Sequence, residues 1–537
     1  MFNSPITMLG NQTHRFIYLF CISLVAVSLP FSPFLLSLSQ FILAGNWLLE
    51  GEFKRKIQTL KTRPSVLFIL SFFLVHIMWL IPTNNWNYAL HDLKIKLPFL
   101  VFPIIVGTSV PLSLKEFKLV LNFYLCSMVL ATFVSAGIYF GLGSDQAADN
   151  RNSSLFISHI RFALMTVFAF SIAASVLFNL ANLRLVSRYF YLVAFLWLLV
   201  HLFFIGAFTG LVIAVLLFPV ILSYVLKKIQ SQQFKRIILL LSVFSFAIVT
   251  AYIAISLMRY LERKENQFDL LPKQTINGNP YQHYAKENSF ENGNRVWALI
   301  CETELEQEWN KVSRLPYRGK DNKGQQLRAT LVRYMASMDL PKDSLGISRL
   351  SPEDIRMVEE GHTNFIFKNK WSVYARLYEL FWETENYLKG HNPSGHSFSQ
   401  RIEMAKNGLH VAANHFWFGT GTGDVNEEVM KQYQKNNTLL DPRWWFRPHN
   451  QYITLFIAFG MVGFALLLLG FIAAIFFEKK NAGYLFVSFL LIVLLSMVSE
   501  DTFETQAGAS FTAFFLSLLL LGPGFVDNNF SDGPAKP

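Results

Sequence analysis

The stretch that decides the fold is RPHNQYITLFIAFGMVGFALLLLGFIAAIFF, residues 447–477. From Gln451 to Phe477 it carries no Asp, Glu, Lys or Arg. An apolar run of about 18 or more residues is long enough to span a bilayer as a helix. The four residues ahead of it are of another kind. Arg447 and His449 are costly at a membrane surface unless they have partners. Pro448 has no N–H to donate and suits a helix start, and Asn450 is a good N-cap.

Runs of this kind recur along the chain. It has 537 residues, 52% of them hydrophobic and 53 of them phenylalanine, with a mean hydropathy of +0.33. A soluble chain of this length carries a lower apolar share. The apolar runs fall near 15–30, 31–49, 64–82, 97–110, 117–141, 156–180, 189–206, 208–226, 236–258, 449–477, 483–499 and 506–522. The pattern predicts an all-α polytopic membrane protein with about 12 transmembrane helices. It divides the chain into an N-terminal membrane domain over 1–258, a polar domain over 259–447 and a C-terminal membrane domain over 448–537. The first apolar stretch lacks a small-residue cleavage site and reads as a retained span.

Basic residues set the orientation. With the N-terminus cytoplasmic, the inner loops hold 15 Lys and Arg, and the short outer loops hold only Lys94, Lys96 and Arg151. Both termini are then cytoplasmic and 259–447 lies outside, in a bacterial inner membrane. The formal charge of +11 belongs largely to those inner loops, because 259–447 holds 26 Lys and Arg against 24 Asp and Glu. This balance argues against a nucleic-acid partner. Of three cysteines, only Cys301 falls in the polar domain, which must therefore fold on its own core without a disulfide.

Helical signals dominate 259–447. SPEDIRMVEEG, from Ser351, offers an N-cap serine, Pro352 at the first helical position and Gly361 as a stop. NKWSVYARLYELFWETENYLKG places Trp371, Tyr374, Leu377, Tyr378, Phe381, Trp382 and Leu388 on one broad face, ended by Gly390. RVWALICETELEQEWNKVSR and SFSQRIEMAKNGLHVAANHF also read as helices, and 262–294 as an irregular loop. GTGTGD, Gly419 to Asp424, has two readings. One is a tight turn with Asp424 as N-cap and Glu427 closing a capping box. The other is a glycine loop that cradles a phosphate at a helix N-terminus.

Three polar sets gather at the outer face. In SHIRFAL, His159 and Arg161 open the sixth span; Arg161 either snorkels to headgroups or faces a cavity as an anion ligand. In FRPHNQY, His449 is either a neutral base at a fixed height or a wet residue beside the Asn450 cap. In SEDTFETQ, Glu500, Asp501 and Glu504 form an acidic turn that either stays solvated or pairs with an outer arginine or with His449. Together they suit a phosphate-bearing, lipid-linked substrate. No ATP is present outside the cell, so the substrate must itself be activated, and arginines can offset the charge of a pyrophosphate leaving group.

On these residues the chain resembles the O-antigen ligase and polymerase superfamily of bacterial integral membrane glycosyltransferases. PHNQYITLFIAFGMVG is similar to its His-Asn…Gly…Gly signature at His449, Asn450, Gly460 and Gly463. SQRIEMAKNGLHVAANHFWFGTGTGD, with Arg401, SHIRFAL and SEDTFETQAG resemble further family segments. The resemblance implies metal-independent, cofactor-free transfer of a glycan from undecaprenyl pyrophosphate to an acceptor hydroxyl. In a ligase the acceptor is lipid A–core. In a polymerase it is another lipid-linked repeat, and in a protein O-oligosaccharyltransferase it is a polypeptide. It implies His449 as catalytic base or acceptor-orienting residue and Arg161 as pyrophosphate ligand. Arg401 and Arg447 become phosphate or sugar contacts, with His159, Asn450 and Glu500 at the same site. The run GAFTGLVIA departs from the family, with Phe208 where an arginine is expected, so that ligand is missing or supplied by another residue. A transporter is the reading from another class. The charged groups cluster at the outer mouth rather than at the midplane where transporters usually bind, and this argues against it.

Overall fold

The computed structural model describes residues 10–139, 157–177, 185–264, 270–284, 286–287, 289–369 and 372–524. Arg151, Arg184 and Trp371 lie outside them. The chain is mostly helical: α1 Asn11–Ser28, α2 Pro33–Leu49, α3 Phe53–Thr62, α4 Pro64–Met78, α5 Trp86–Lys96, α6 Pro98–Thr108, α7 Leu114–Tyr139, α8 His159–Leu177, α9 Leu185–Phe204, α10 Phe208–Lys228 and α11 Gln232–Leu261. A two-residue hairpin, β1 Phe290–Glu291 with β2 Asn294–Arg295, follows. Then come α12 Glu302–Val312, α13 Leu327–Ser337, α14 Ser344–Ser348, α15 Pro352–Glu359, α16 Val373–Leu388, α17 Ser397–Asn414, α18 Val425–Lys435, α19 Gln451–Phe477, α20 Tyr484–Ser499 and α21 Gln506–Leu521.

Every one of the twelve apolar runs is a helix. Among the described residues, six helices are long and apolar enough to cross a membrane: α7, α8, α9, α10, α11 and α19. The pair α3 and α4, bent by 90°, becomes a seventh if it counts as one span. Shorter apolar helices are α2, α20 and α21. Proline and serine explain several boundaries. Ser32 accepts the amide of Leu35, and Pro33 occupies the first turn of α2, where its missing N–H is harmless.

Close packing divides the chain into two units, Met1–Gln232 with Gln400–Pro537, and Gln233–Ser399. In the first, aromatic side chains fill the spaces between helices. Tyr124, Phe168, Phe489, Phe511 and Phe515 pack edge to face or tilted, with centroids about 5 Å apart, the range in which ring quadrupoles attract. The second unit joins α11 to a small polar fold with its own core of Val296, Ile300, Leu305, Trp309, Leu331, Tyr334 and Met335. Ser351 caps α15 as the sequence predicts, and Asp354 bonds back to it to complete a capping box. Gly361 and Gly390 end their segments in the left-handed region.

Two local expectations change, and one about the cysteines does not. Residues 296–301 are not helical; α12 begins at Glu302, after a chain segment whose Ile300 pairs with Gln282. Leu388 is 79% exposed and does not share the buried side of α16 with Tyr378. All three cysteines are free, Cys301 and Cys21 buried and Cys126 exposed.

The strongest local constraint is a break inside α19. Gly460 sits at φ 60°, ψ −168°, and a side chain there would lie 2.5 Å from the backbone nitrogen of Phe418. Gly460→Ala therefore lowers the unfolding temperature measured in detergent, by the equivalent of roughly 1–3 kcal/mol or more. Gly45→Ala, in α2 with nothing within 4 Å of the added methyl, is neutral or stabilising.

Candidate functional site

Asn450 fixes where α19 begins. Its Oδ1 accepts the amide of Ile453 at 3.0 Å, and its Nδ2 donates to the carbonyl of Val498 at 2.9 Å. The helix thus starts at Gln451, and Pro448 sits ahead of the cap rather than in the first turn. Pro448 is buried against α17. A side chain at Gly408 would lie 2.3 Å from its ring, so this glycine permits the close approach. The approach brings α17, which carries Arg401, onto the segment that carries His449.

The GTGTGD loop does a different job from either of its sequence readings. Its amides are spent on the protein: Thr420 donates to Ile457, Gly421 to Ala458, Thr422 to Trp79, and Gly423 to the hydroxyl of Thr83. Beyond the break, Met461 and Val462 donate to the carbonyls of Phe416 and Trp417. No anion cradle remains. Nor does the Asp424 side chain cap its own helix. Its carboxylate instead accepts the amides of Asn84 and Asn85, both at 2.8 Å, at the start of α5. The loop is a clasp that holds the end of α4, the start of α5 and the break in α19 together.

The acidic turn between α20 and α21 meets these elements. Glu504 is buried and is the hub. It accepts Lys96 Nζ at 2.8 Å, Arg447 Nη1 at 2.8 Å and Gln451 Nε2 at 2.9 Å. Lys96 also bonds Asp92 one turn earlier on α5. Gln451 accepts the amide of Phe503 and so pins the turn itself. Glu500 accepts Arg401 Nη2 at 2.6 Å. Arg161 donates to the carbonyl of Asp501 at 3.2 Å and to Ser158 Oγ at 3.0 Å, while its buried Nε has no partner. Asp501 accepts the hydroxyl of Thr454.

Four cations therefore face four carboxylates, Asp92, Glu500, Asp501 and Glu504. Burial opposes the ionisation of Glu504, but Lys96 and Arg447 hold its pKa well below the usual carboxylate range. Burial raises Asp92 and Asp501 to about 7, against the pull of Lys96 and Arg447 respectively. Burial therefore works against the ionisation of Asp92 and Asp501, while the four cations keep their charge. His449 lies in that field. Burial first, then the charges of Arg401, Arg161 and Arg447, push its pKa down to about 4. The imidazole is therefore neutral at pH 7. Among the described residues it has no hydrogen-bond partner, which leaves both ring nitrogens uncommitted.

His449, Asn450, Arg161, Arg401, Arg447 and Glu500 all fall in this one cluster. His159 opens α8 half-buried, two positions before Arg161, and is not among the groups acting on His449. Phe208 opens α10, is 41% exposed and contributes no charge. The sequence reading missed Lys96, Asp92 and Gln451 and did not single out Glu504 from its turn. The i,i+4 spacing of Asp92 and Lys96 in HDLKIK was the available signal. Arg401 bonds Glu500 and Arg447 bonds Glu504, while Arg161 keeps a buried Nε without a partner among the described residues.

The apolar helices and this site describe an integral membrane protein with a cationic, histidine-bearing cluster at a helix mouth. Residues 365–468 match the family model described as O-antigen ligase. That stretch holds the clasp, Arg401, Arg447, His449 and Asn450. No curated protein matches the chain.

Removing the hub should be felt far beyond the site. Glu504→Gln leaves Arg447 buried without its counter-charge and Lys96 with Asp92 alone, a loss of about 3–5 kcal/mol. Thermal unfolding in detergent, compared with Glu500→Gln, checks this. The latter frees only the partly exposed Arg401 and shifts the midpoint much less.

Proposed function

We propose that the protein is a glycosyltransferase of the O-antigen ligase type. It would move a glycan from undecaprenyl pyrophosphate to an acceptor hydroxyl, such as one on lipid A–core, at the periplasmic face of the inner membrane. The observation that carries this reading is the neutral, unpartnered His449 among three arginines at the mouth of α19. The match over 365–468 to O-antigen ligases supports it. We also propose that all twelve apolar helices cross the membrane, with both termini cytoplasmic. The 1–258 and 448–537 segments would form its membrane part and 259–447 its periplasmic part. The 15-to-3 distribution of basic residues between inner and outer loops supports this orientation.

The chemistry needs three tasks. An imidazole nitrogen of His449 takes the proton of the acceptor hydroxyl as that oxygen bonds to the anomeric carbon. The bond from that carbon to the pyrophosphate oxygen breaks, and the pyrophosphate leaves with the electron pair. Arg161 and Arg401 meet the charge that grows on it, and donors fixed in advance cost no reorganisation during the step. Arg447 is already bound to Glu504 and supports the field rather than the phosphate. No metal is required by this set of roles.

A pKa of about 4 makes His449 a weak base in the free protein. A bound pyrophosphate offsets the arginine charges that help depress it, so the donor itself raises the basicity of His449. The sign follows: the base must be neutral, so rate falls as pH drops through its pKa. The acid limb of kcat/KM, which reports the free protein, should lie near pH 4. The acid limb of kcat, which reports the donor complex, should lie higher. Coincident limbs would remove the coupling.

His449→Ala should abolish glycan attachment in a complemented deletion strain while membrane insertion stays normal. Arg161→Ala should raise the donor KM at least tenfold. Transfer at the wild-type rate by the histidine variant sinks the assignment. The glycan profile of the same strain separates acceptors. Loss of all long chains from the lipid core, with lipid-linked polymer accumulating, marks a ligase. Single repeats on the core mark a polymerase. Unaltered lipopolysaccharide with loss of protein-linked glycan marks a protein O-oligosaccharyltransferase.

A further inference from the structure

The second unit contains a cavity of about 500 Å³, within the range of small-molecule sites. It lies where the last turn of α11 meets the β1–β2 hairpin and the end of α13. Arg259, Glu262, Lys264, Asn292, Asp339 and Tyr374 line it. Its polar groups are of two sorts. Asn292 is committed to the carbonyl of Ser337 and to Asn364, and it builds the wall. The Arg259 guanidinium, the Glu262 carboxylate and the Tyr374 hydroxyl take no hydrogen bond or ion pair among the described residues. Arg259 only lies over the Tyr374 ring, 4.8 Å from its centroid.

Lys264 and Asp339 pair at 2.5 Å, but both are more than half exposed, and such a pair is worth little and opens readily. Asn292 and Asp339 both hold left-handed backbone at φ 49° and 57°. Two of the five non-glycine residues in that costly region among the described residues thus fall on the wall of one cavity. Backbone strain of this kind persists where the surroundings impose it and gathers at ligand sites.

The lining also selects the ligand. Two cations and two carboxylates cancel, so the cavity offers no net field to a phosphate. A guanidinium donates, a carboxylate accepts, and a tyrosine does both while presenting an apolar ring. Hydroxyl-rich, uncharged rings with one C–H face match that set. We propose that this cavity is a saccharide-binding site, separate from the arginine cluster. It would take neutral sugar units of a glycan substrate. The identity of the ligand rests on the glycosyltransferase reading, whereas the cavity and its chemistry do not.

The test uses the full-length protein in nanodiscs and two probes, the delipidated repeat glycan and the delipidated core oligosaccharide of the producing strain. Titration calorimetry should give saturable binding of at least one, and which one binds assigns the site to donor or acceptor sugars. Arg259→Gln and Glu262→Gln should each weaken binding at least tenfold with little change in unfolding temperature, since among the described residues neither charged group has a hydrogen bond or ion pair to lose. Lys311→Gln, elsewhere on the surface of α12, should bind as wild type. Failure of both probes to bind, wild-type affinity in both cavity variants, or displacement of the sugar by inorganic pyrophosphate overturns the proposal. His449→Ala should still bind the saccharide. Normal glycan transfer without saccharide binding removes this site and leaves the proposed reaction standing. Saccharide binding with wild-type transfer by His449→Ala does the reverse.

Discussion

A charge can stay inside this protein only if another charge meets it, and Glu504 is where that requirement is met. Its carboxylate serves Lys96 from α5, Arg447 ahead of α19 and Gln451 in the first turn of α19. Ions taken out of water cost several kcal/mol each unless paired and hydrogen-bonded. The three elements are therefore held in one arrangement, because separating any of them strands a buried charge. Gln451 adds a neutral strut by accepting the amide of Phe503, so the acidic turn is fixed to the helix it faces. Everything proposed for His449 depends on this frame, which sets where the arginines stand.

The second constraint is purely steric. The break at Gly460 and the loop from Phe416 to Asp424 fit backbone to backbone, with amides and carbonyls exchanged across the contact. Such a fit leaves no room for side chains, and it needs no ligand to satisfy its polar groups. A glycine-rich loop before a helix invites a phosphate-binding reading. Here the hydrogen-bond ledger excludes it, since each amide from Gly419 to Gly423 already has a protein acceptor. The loop supports function by placing α17, and hence Arg401, beside the residues that precede α19.

Burial separates the two sites. The membrane cluster has as many acids as cations, and burial works against the ionisation of Asp92 and Asp501. The cavity beside α11 has equal numbers of both signs, and its lysine and aspartate are more than half exposed. The ligands proposed for them, an anion for one and a neutral, hydroxyl-rich molecule for the other, follow that difference.

The sequence by itself determined the helical class and the position of all twelve apolar helices. Runs of uninterrupted apolar residues have few other fates in a membrane, where every backbone polar group must bond internally. It also determined the Ser351 N-cap of α15 and the stops at Gly361 and Gly390, because those signals act within a turn. It brought His449, Arg161, Arg447 and Glu500 forward as a set, since charged residues beside apolar runs demand partners, and Arg401 entered through the family resemblance. Only the tertiary structure decided who those partners are. Lys96 was legible as one outer-loop charge, and its bond to Glu504, some 408 positions away, has no local signature. Asp424 was legible as a cap, but the helix it caps is not its own. Leu388 matched the apolar face of α16 by spacing, yet it is exposed at the end of the helix. In each case the deciding interaction joins residues far apart in the chain, and periodicity and capping rules reach only about one turn.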